Sequence, residues 1–188
     1  GLASQGILVN GDDANTMECV SGMDCVTFGL GEQNRIRAIN ISEDWSEFDV
    51  ICDGELYAHL KLSVFGKHNT LNALAAAGAG WMLGVSGEDA ANGLATFTGA
   101  GRRMEYKGEY NGAPVYDDYA HHPGELSCLI DAVRTQGYKR VVVAFQPHTY
   151  TRTHALFEDF VEELKRVDVC CVAEIYAARE QNLIGISS

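Results

Sequence analysis

Residues 117–123, Asp-Asp-Tyr-Ala-His-His-Pro, concentrate reactive side chains directly after the short apolar stretch Val115-Tyr116. An Asp at this point can accept hydrogen bonds from ribose hydroxyls, and a His can donate to a phosphate or orient a nucleophile. Adjacent histidines rarely converge on one ion, so we expect no metal site here, although Asp and His are both metal ligands. The alternative is a solvated strand end in which Asp118 and Tyr119 are simply exposed.

Residues 66–72, Gly-Lys-His-Asn-Thr-Leu-Asn, stand between a predicted strand and an Ala-rich helix. An Asn at the start of a helix offers both a donor and an acceptor, which is the pair that an adenine edge needs. Asn69 and Asn72 are therefore candidate nucleotide-binding residues. The alternative is that Asn69 or Thr70 only caps the helix.

Arginines occur at two further points where an anion could be bound. Arg152 lies in the segment Phe-Gln-Pro-His-Thr-Tyr-Thr-Arg-Thr, residues 145–153, directly after an apolar strand, and its guanidinium can bind a carboxylate or phosphate through two hydrogen bonds. Its alternative is a local ion pair with Glu158 or Asp159. Arg102 and Arg103 follow a Gly-rich joint, where they are either solvated or clamp an anion.

Alternating strand and helix patterns predict an α/β fold with a parallel sheet. The strands are predicted at residues 7–9, 26–30, 36–41, 48–52, 55–60, 104–110, 113–116, 141–145 and 168–173, and the helices at 69–83, 88–96, 123–135 and 153–166. The two turn sequences Asp53-Gly54 and Asn111-Gly112 predict hairpins. Strand 141–145 is expected to be covered on both faces. The residues predicted to share one face of the first helix are Leu71, Leu74, Ala75, Gly78 and Met82. The joint at 98–103 divides the chain into domains 1–102 and 103–188.

The composition is that of a globular protein with an acidic surface. Of 188 residues, 46% are hydrophobic, and 14 Lys and Arg against 26 Asp and Glu give a net charge of −12, which argues against nucleic-acid binding. No apolar run is long enough to span a membrane and no signal peptide is visible. Six cysteines without a CxxC pair predict buried free thiols and a cytoplasmic location.

Several common phosphate-binding and catalytic motifs do not occur in these residues. There is no GxxxxGK[ST] loop, no GxGxxG and no GxSxG. The chain also starts without Met and stops shortly after an apolar strand, so we interpret it as a piece of a longer protein.

Four segments in this order, GKHNTLNALAAAGAG, FTGAGRRMEYKGEYNGAPVYDDYAHHP, AFQPHTYTRT and CVAEIYAARE, resemble the Mur ligase family from about Gly6 to Ser188. The DDYAHHP and FQPHTYTRT pair is most similar to the members that add L-alanine to UDP-N-acetylmuramate. The resemblance implies that 1–102 is the later part of a central ATPase domain and 103–188 the first part of a Rossmann-like C-terminal domain. It also implies that a UDP-binding domain, the P-loop and the main Mg²⁺ ligands lie upstream.

The resemblance implies an ATP-dependent amide ligation for peptidoglycan precursor synthesis, through an acyl phosphate that the L-alanine amine attacks. The site residues carried over are Asn69 and Asn72 on adenine, Arg103 on the ATP phosphates, Asp118 on ribose, and Tyr119, His121 and Arg152 near the amino acid and the reacting carboxyl, with His121 and Arg152 catalytic. Many members have Arg where this chain has Thr149, which leaves Arg152 as the main partner of the alanine carboxylate.

Two other functions stay open at this point. The chain could be a non-catalytic nucleotide-binding module of the same fold, because its P-loop is missing. It could also belong to the related recycling ligase that attaches a whole tripeptide and shares the DD-aromatic-AHHP run. Without a P-loop, the 188 residues alone are predicted to be inactive.

Overall fold

The computed structural model describes residues 6–188, which fall into two compact units. The first unit ends at Gly99 and the second comprises Ala100–Ser188. The division therefore falls inside the Gly-rich joint, slightly before the predicted boundary after residue 102. The predicted α/β class is confirmed, and parallel strands occur in both units.

The first unit is built on a five-stranded sheet in the order β1-β2-β3-β4-β5. Its elements are β1 (Leu8–Asn10), α1 (Ala14–Cys19), β2 (Val26–Gly29), β3 (Ile36–Ile39), β4 (Glu47–Cys52), β5 (Glu55–Lys61), α2 (Lys67–Met82) and α3 (Gly87–Ala95). The first three strands are parallel and the last three antiparallel. The hairpin at Asp53-Gly54 is confirmed, because both residues adopt the positive φ of 49° and 89° that such a turn requires.

Helix α2 packs on this sheet through Leu74 and several smaller residues. Its buried residues are Thr70, Ala73, Leu74, Ala77 and Gly78, against a core that includes Ile36, Phe48, Val50 and Leu60. Of the residues predicted to share one face, Leu74 and Gly78 are buried, and Leu71, Ala75 and Met82 are half-buried. The helix is apolar nearly all round, so spacing alone does not identify its buried side, and close approach to the sheet favours Ala and Gly.

The second unit combines a hairpin with a small parallel sheet. Its elements are β6 (Glu105–Tyr110), β7 (Ala113–Asp117), α4 (Pro123–Arg134), β8 (Val142–Phe145), α5 (Tyr150–Ala155), α6 (Phe157–Leu164) and β9 (Val169–Val172). Strands β6 and β7 pair as predicted around Asn111-Gly112, and β8 runs parallel to β9. Leu126, Phe145 and Phe160 from α4, β8 and α6 form its core.

Three predictions for these elements were wrong. The single helix 153–166 is two helices, α5 and α6, which separate at Leu156. Strand β8 is covered on one face only, since Phe145 is buried while Val142 is 59% exposed. None of the six cysteines forms a disulfide, as predicted, but only Cys52 is buried. Cys25 is half-buried, and the exposed thiols are Cys19, Cys128, Cys170 and Cys171.

Helix α1 was not predicted, although Asp13 marks its start. The Asp13 carboxylate accepts a hydrogen bond of 2.6 Å from the Thr16 amide, as an N-cap residue does. Within residues 6–188, none of the helices has the length and apolar character needed to cross a membrane.

Candidate functional site

The start of helix α2 presents two asparagine amides. Gly66, at a φ of 94°, precedes the helix, and neither Asn69 nor Thr70 caps it, so the capping alternative was wrong. The Asn69 side-chain amide donates to the Phe65 carbonyl at 2.9 Å, which leaves its Oδ1 free. The Asn72 side chain is exposed and makes no hydrogen bond within residues 6–188. Residues three apart lie on the same side of a helix, so together they offer the acceptor and donors that an adenine edge needs.

Asp118 ties the loop after β7 to the beginning of β6. Its Oδ2 accepts from the Met104 amide at 2.8 Å and its Oδ1 from the Ala120 amide at 2.7 Å. The side chain is half-buried rather than fully solvated. Each carboxylate oxygen keeps a further lone pair, so Asp118 can still accept hydrogen bonds from two hydroxyls.

The loop holds His121 in one tautomer. Its Nδ1 lies 2.8 Å from the Tyr119 carbonyl oxygen. A carbonyl can only accept, so Nδ1 carries a proton, and in the neutral form of the ring Nε2 is the acceptor. The Tyr119 ring is 49% exposed, lies 5.0 Å from the His121 ring and stacks 4.8 Å from the Arg102 guanidinium.

Glu125 joins His121 to Arg103 and was missed in the sequence. Its Oε2 accepts from the His121 amide at 3.0 Å, and its Oε1 accepts from Arg103 Nη2 at 3.3 Å. Burial acts to raise the pKa of Glu125, but the His121 amide and the nearby His121 and Arg103 side chains outweigh it and the pKa is lowered. The sequence could have revealed this contact, because Glu125 lies in the first turn of α4, two residues after Pro123. An acid at that position commonly accepts a hydrogen bond from a backbone amide that precedes the helix.

Arg152 carries a guanidinium without an acid partner. Its Nη1 donates to the His148 carbonyl at 3.0 Å, and in the described part of the chain it forms no ion pair. The proposed alternative of a pair with Glu158 or Asp159 was therefore wrong. The His148 ring stacks on Tyr176 at 5.4 Å and lies 6.4 Å from the His121 ring, so the loops after β7 and β8 are neighbours.

Glu180 is the second acid that the sequence did not reveal. Its Oε1 accepts from the Thr149 and Thr151 hydroxyls at 2.6 and 2.5 Å, and its Oε2 from the Thr151 amide at 2.9 Å. The hydroxyls of Thr149 and Thr151, followed by the Thr151 amide, lower the pKa of Glu180 to about 2. The only sequence signal was an acid shortly after a predicted parallel strand.

The structure thus distributes the candidate residues over both units. Asn69 and Asn72 lie on α2 of the first unit. In the second unit Arg103 lies just before β6 and Arg152 on α5, after β8, and the residues that follow β7 are Asp118, Tyr119 and His121. Over residues 6–188, no three His, Cys, Asp or Glu side chains are grouped so as to hold a metal ion. The arginines of the second unit are candidate residues for binding an anion.

Two family models match the chain, one in each unit. The Mur ligase middle domain matches residues 2–80, and the Mur ligase glutamate ligase domain matches residues 102–184. Both belong to one family and together they cover most of the chain.

Curated relatives share about two-fifths of their residues with this chain. The UDP-N-acetylmuramate–L-alanine ligase of Caldanaerobacter subterraneus subsp. tengcongensis is 42% identical over 182 residues, which is 94% of this chain and 40% of that protein. The ligase of the same name from Agathobacter rectalis is 41% identical over 192 residues, 100% of this chain and 42% of that protein. The chain thus spans about two-fifths of the length of these relatives.

Solved structures agree on the fold. The UDP-N-acetylmuramate-alanine ligase of Thermotoga maritima matches 90% of this chain and 37% of its own with a TM-score of 0.74 and 30% identity. MurF of Acinetobacter baumannii matches 89% of this chain and 43% of its own with a TM-score of 0.66, but at 19% identity this is a likeness of fold alone.

Proposed function

Because this chain belongs to the Mur ligase family, we propose that the complete protein joins L-alanine to UDP-N-acetylmuramate in an ATP-dependent reaction. The observation that carries the proposal is an identity of about 42% to ligases of that name along nearly the whole chain. The reaction would serve peptidoglycan precursor synthesis in the cytoplasm.

The proposed chemistry needs fixed positive charge. The muramyl carboxylate attacks the γ-phosphorus of ATP, ADP leaves, and the product is an acyl phosphate. The alanine nitrogen then bonds to the acyl carbon, and phosphate leaves with the carbon–oxygen bond pair. Negative charge develops on phosphoryl and acyl oxygens in turn, so arginines and amides already in place stabilise these states.

The proposed nucleotide contacts are assigned within each unit by itself. We assign adenine to Asn69 and Asn72, whose amides have unused acceptor and donor atoms, and the ribose hydroxyls to Asp118. Arg103 would reach the phosphates, and its single contact with Glu125 at 3.3 Å is loose enough to exchange for a phosphate oxygen.

The amino acid would be bound in the second unit. The Arg152 guanidinium, free of acid partners among the described residues, would hold the alanine carboxylate with two hydrogen bonds. His121 Nε2 would take the proton that the amine loses as the amide forms, and Tyr119 would line the same place.

Magnesium that accompanies ATP would neutralise phosphate charge when bound. The described residues 6–188 offer no group of three acidic, His or Cys ligands for it. In line with the resemblance to the Mur ligase family, we propose that residues outside this chain hold the ion.

The test is the amino-acid dependence of phosphate release. The complete protein is incubated with ATP, Mg²⁺ and UDP-N-acetylmuramate, with L-alanine, with the tripeptide, or with neither. We expect release that requires L-alanine. Release that requires the tripeptide would identify the recycling ligase instead, and no release under any condition would favour a non-catalytic module.

A further inference from the structure

The short helix that carries Arg152 needs support from outside itself. Helix α5 has only six residues, Tyr150–Ala155, which is too short for a helix to be stable in isolation. Its N-cap residue, Thr149, makes no side-chain bond to the helix amides. The position of Arg152 therefore depends on contacts that other segments make with α5.

Glu180 supplies those contacts from a segment about thirty residues further along the chain. Its two oxygens accept from the Thr149 hydroxyl at 2.6 Å, from the Thr151 hydroxyl at 2.5 Å and from the Thr151 amide at 2.9 Å. The Thr151 amide is one of the first-turn amides that a helix leaves without an internal partner. A carboxylate at this end also interacts favourably with the helix dipole.

The other contacts of this helix hold Arg152 on the same frame. The Arg152 guanidinium donates to the His148 carbonyl at 3.0 Å, and the buried Thr153 hydroxyl donates to the Thr149 carbonyl at 2.6 Å. The carbonyls of residues 148 and 149 thus accept hydrogen bonds from the side chains of Arg152 and Thr153. Glu180 in turn accepts a hydrogen bond from the Thr149 hydroxyl. Movement of the Glu180 carboxylate would displace the guanidinium with the turn.

We propose that Glu180 is a positioning residue, which fixes the first turn of α5 so that the Arg152 guanidinium meets the carboxylate of the amino-acid substrate. This inference rests on the proposed function, because it takes Arg152 to bind L-alanine. It also gives Thr149 a role: its hydroxyl is committed to Glu180 and supports Arg152 indirectly instead of binding the substrate.

The experiment uses the complete enzyme with Glu180→Gln, which keeps the shape of the side chain but removes its charge and one acceptor oxygen. The matched control is Glu174→Gln, the same change at an exposed acid before the same segment. We expect the KM for L-alanine to rise about 10- to 100-fold in Glu180→Gln, as displacement of a substrate-holding group does. The KM for ATP should stay within about twofold of the unmutated value, and the control should behave as the unmutated enzyme.

A double-variant cycle separates positioning from a general structural effect. If Glu180 acts through Arg152, Glu180→Gln should raise the KM for L-alanine less than about twofold in an Arg152→Ala background. Should Glu180→Gln fail to fold, Thr151→Val removes one donor and keeps the amide, and it should raise the same KM by a smaller factor.

Several results would overturn the inference. An unchanged KM for L-alanine, equal rises for alanine and ATP, or a full effect in the Arg152→Ala background would each do so while leaving the proposed function intact. An unmutated enzyme that does not ligate L-alanine would overturn the proposed function and this inference with it.

Discussion

Arg152 is a candidate substrate-binding residue because no acid among residues 6–188 forms an ion pair with its guanidinium. Its nearest acids in sequence, Glu158 and Asp159, lie on α6, beyond the separation of α5 from α6 at Leu156. They follow Arg152 by more than the three or four residues that bring two side chains together on one helix. The guanidinium makes one hydrogen bond, to a backbone carbonyl, and so keeps most of its donors for a substrate.

Substitution of Arg152 should separate alanine binding from ATP binding. Arg152→Lys keeps the charge but loses the planar pair of donors, so the KM for L-alanine should rise strongly. Arg152→Ala should cost about 2–5 kcal/mol in kcat/KM for L-alanine, as loss of one partner in a charge-assisted pair does. The KM for ATP should change little in steady-state kinetics of the complete enzyme.

The control for these variants is Arg140→Ala, an exposed arginine that precedes β8 rather than following it. It should leave both KM values unchanged. If Arg152→Ala altered only the KM for ATP, Arg152 would belong to the phosphate site, and His121 would be the next residue to test as the partner of the alanine carboxylate.

Asn72→Ala should raise the KM for ATP without lowering the free energy of unfolding. Its side chain is exposed and makes no hydrogen bond within the described residues, so Asn72→Ala removes no internal contact. Because Ala is the better helix former, the free energy of unfolding should rise by about 0.5 kcal/mol. The KM for ATP should rise several-fold.

The matched control for Asn72 is Asn92→Ala, an exposed asparagine on α3. It should gain similar stability in thermal or urea unfolding without changing the KM for ATP. If Asn72→Ala and Asn92→Ala had the same KM for ATP, the assignment of Asn72 to the adenine site would be wrong.

The sequence revealed the candidate side chains whose chemistry is visible in local spacing, such as His121 and Arg152. It did not reveal Glu125 or Glu180. Glu180 acquires its role through hydrogen bonds to Thr149 and Thr151, which only the folding of β9 beside β8 brings near. Local sequence patterns carry no information on such long-range contacts. The roles assigned to the site residues are themselves predictions.

At the scale of helices and strands, local rules worked where one residue type decides the geometry. Asp53-Gly54 and Asn111-Gly112 set their hairpins through positive φ values, and Pro123 begins α4. These local rules failed where packing between distant residues determines the end of an element. The apolar spacing from 153 to 166 runs through Leu156 without a Gly or Pro, so nothing in it marks the end of α5.

Two glycines of α3 should respond in opposite ways to the same substitution. A Cβ at Gly87 would overlap the Tyr57 carbonyl oxygen, so the start of α3 lies close against strand β5. Gly87→Ala should lower the free energy of unfolding by about 1–3 kcal/mol, as overpacking does. Gly93→Ala meets no atom within 4 Å and should raise it by about 0.5–1 kcal/mol, because Ala is the better helix former.

Urea unfolding of both variants checks this pair. Equal effects of the same sign would show that α3 does not approach β5 as the structure describes, and the fold of the first unit would need revision at that edge.

At the scale of the whole molecule, the chain spans about two-fifths of the length of the curated relatives that it matches. Its two units match successive Mur ligase domains, and its residues include nucleotide- and anion-binding candidates but no GxxxxGK[ST] loop. We therefore expect the 188 residues alone to release no phosphate above background when ATP, UDP-N-acetylmuramate and L-alanine are added. Turnover by this chain alone would contradict that expectation.

The most direct test of the proposed reaction follows one oxygen atom. The complete protein is supplied with ATP, Mg²⁺, L-alanine and UDP-N-acetylmuramate labelled with ¹⁸O in its carboxylate, and mass spectrometry is applied to both products. We predict a nucleotide sugar that has gained one L-alanine, and inorganic phosphate that carries one ¹⁸O from the carboxylate. Unlabelled phosphate, or labelled phosphate without an alanine adduct, would contradict ligation of L-alanine through an acyl phosphate.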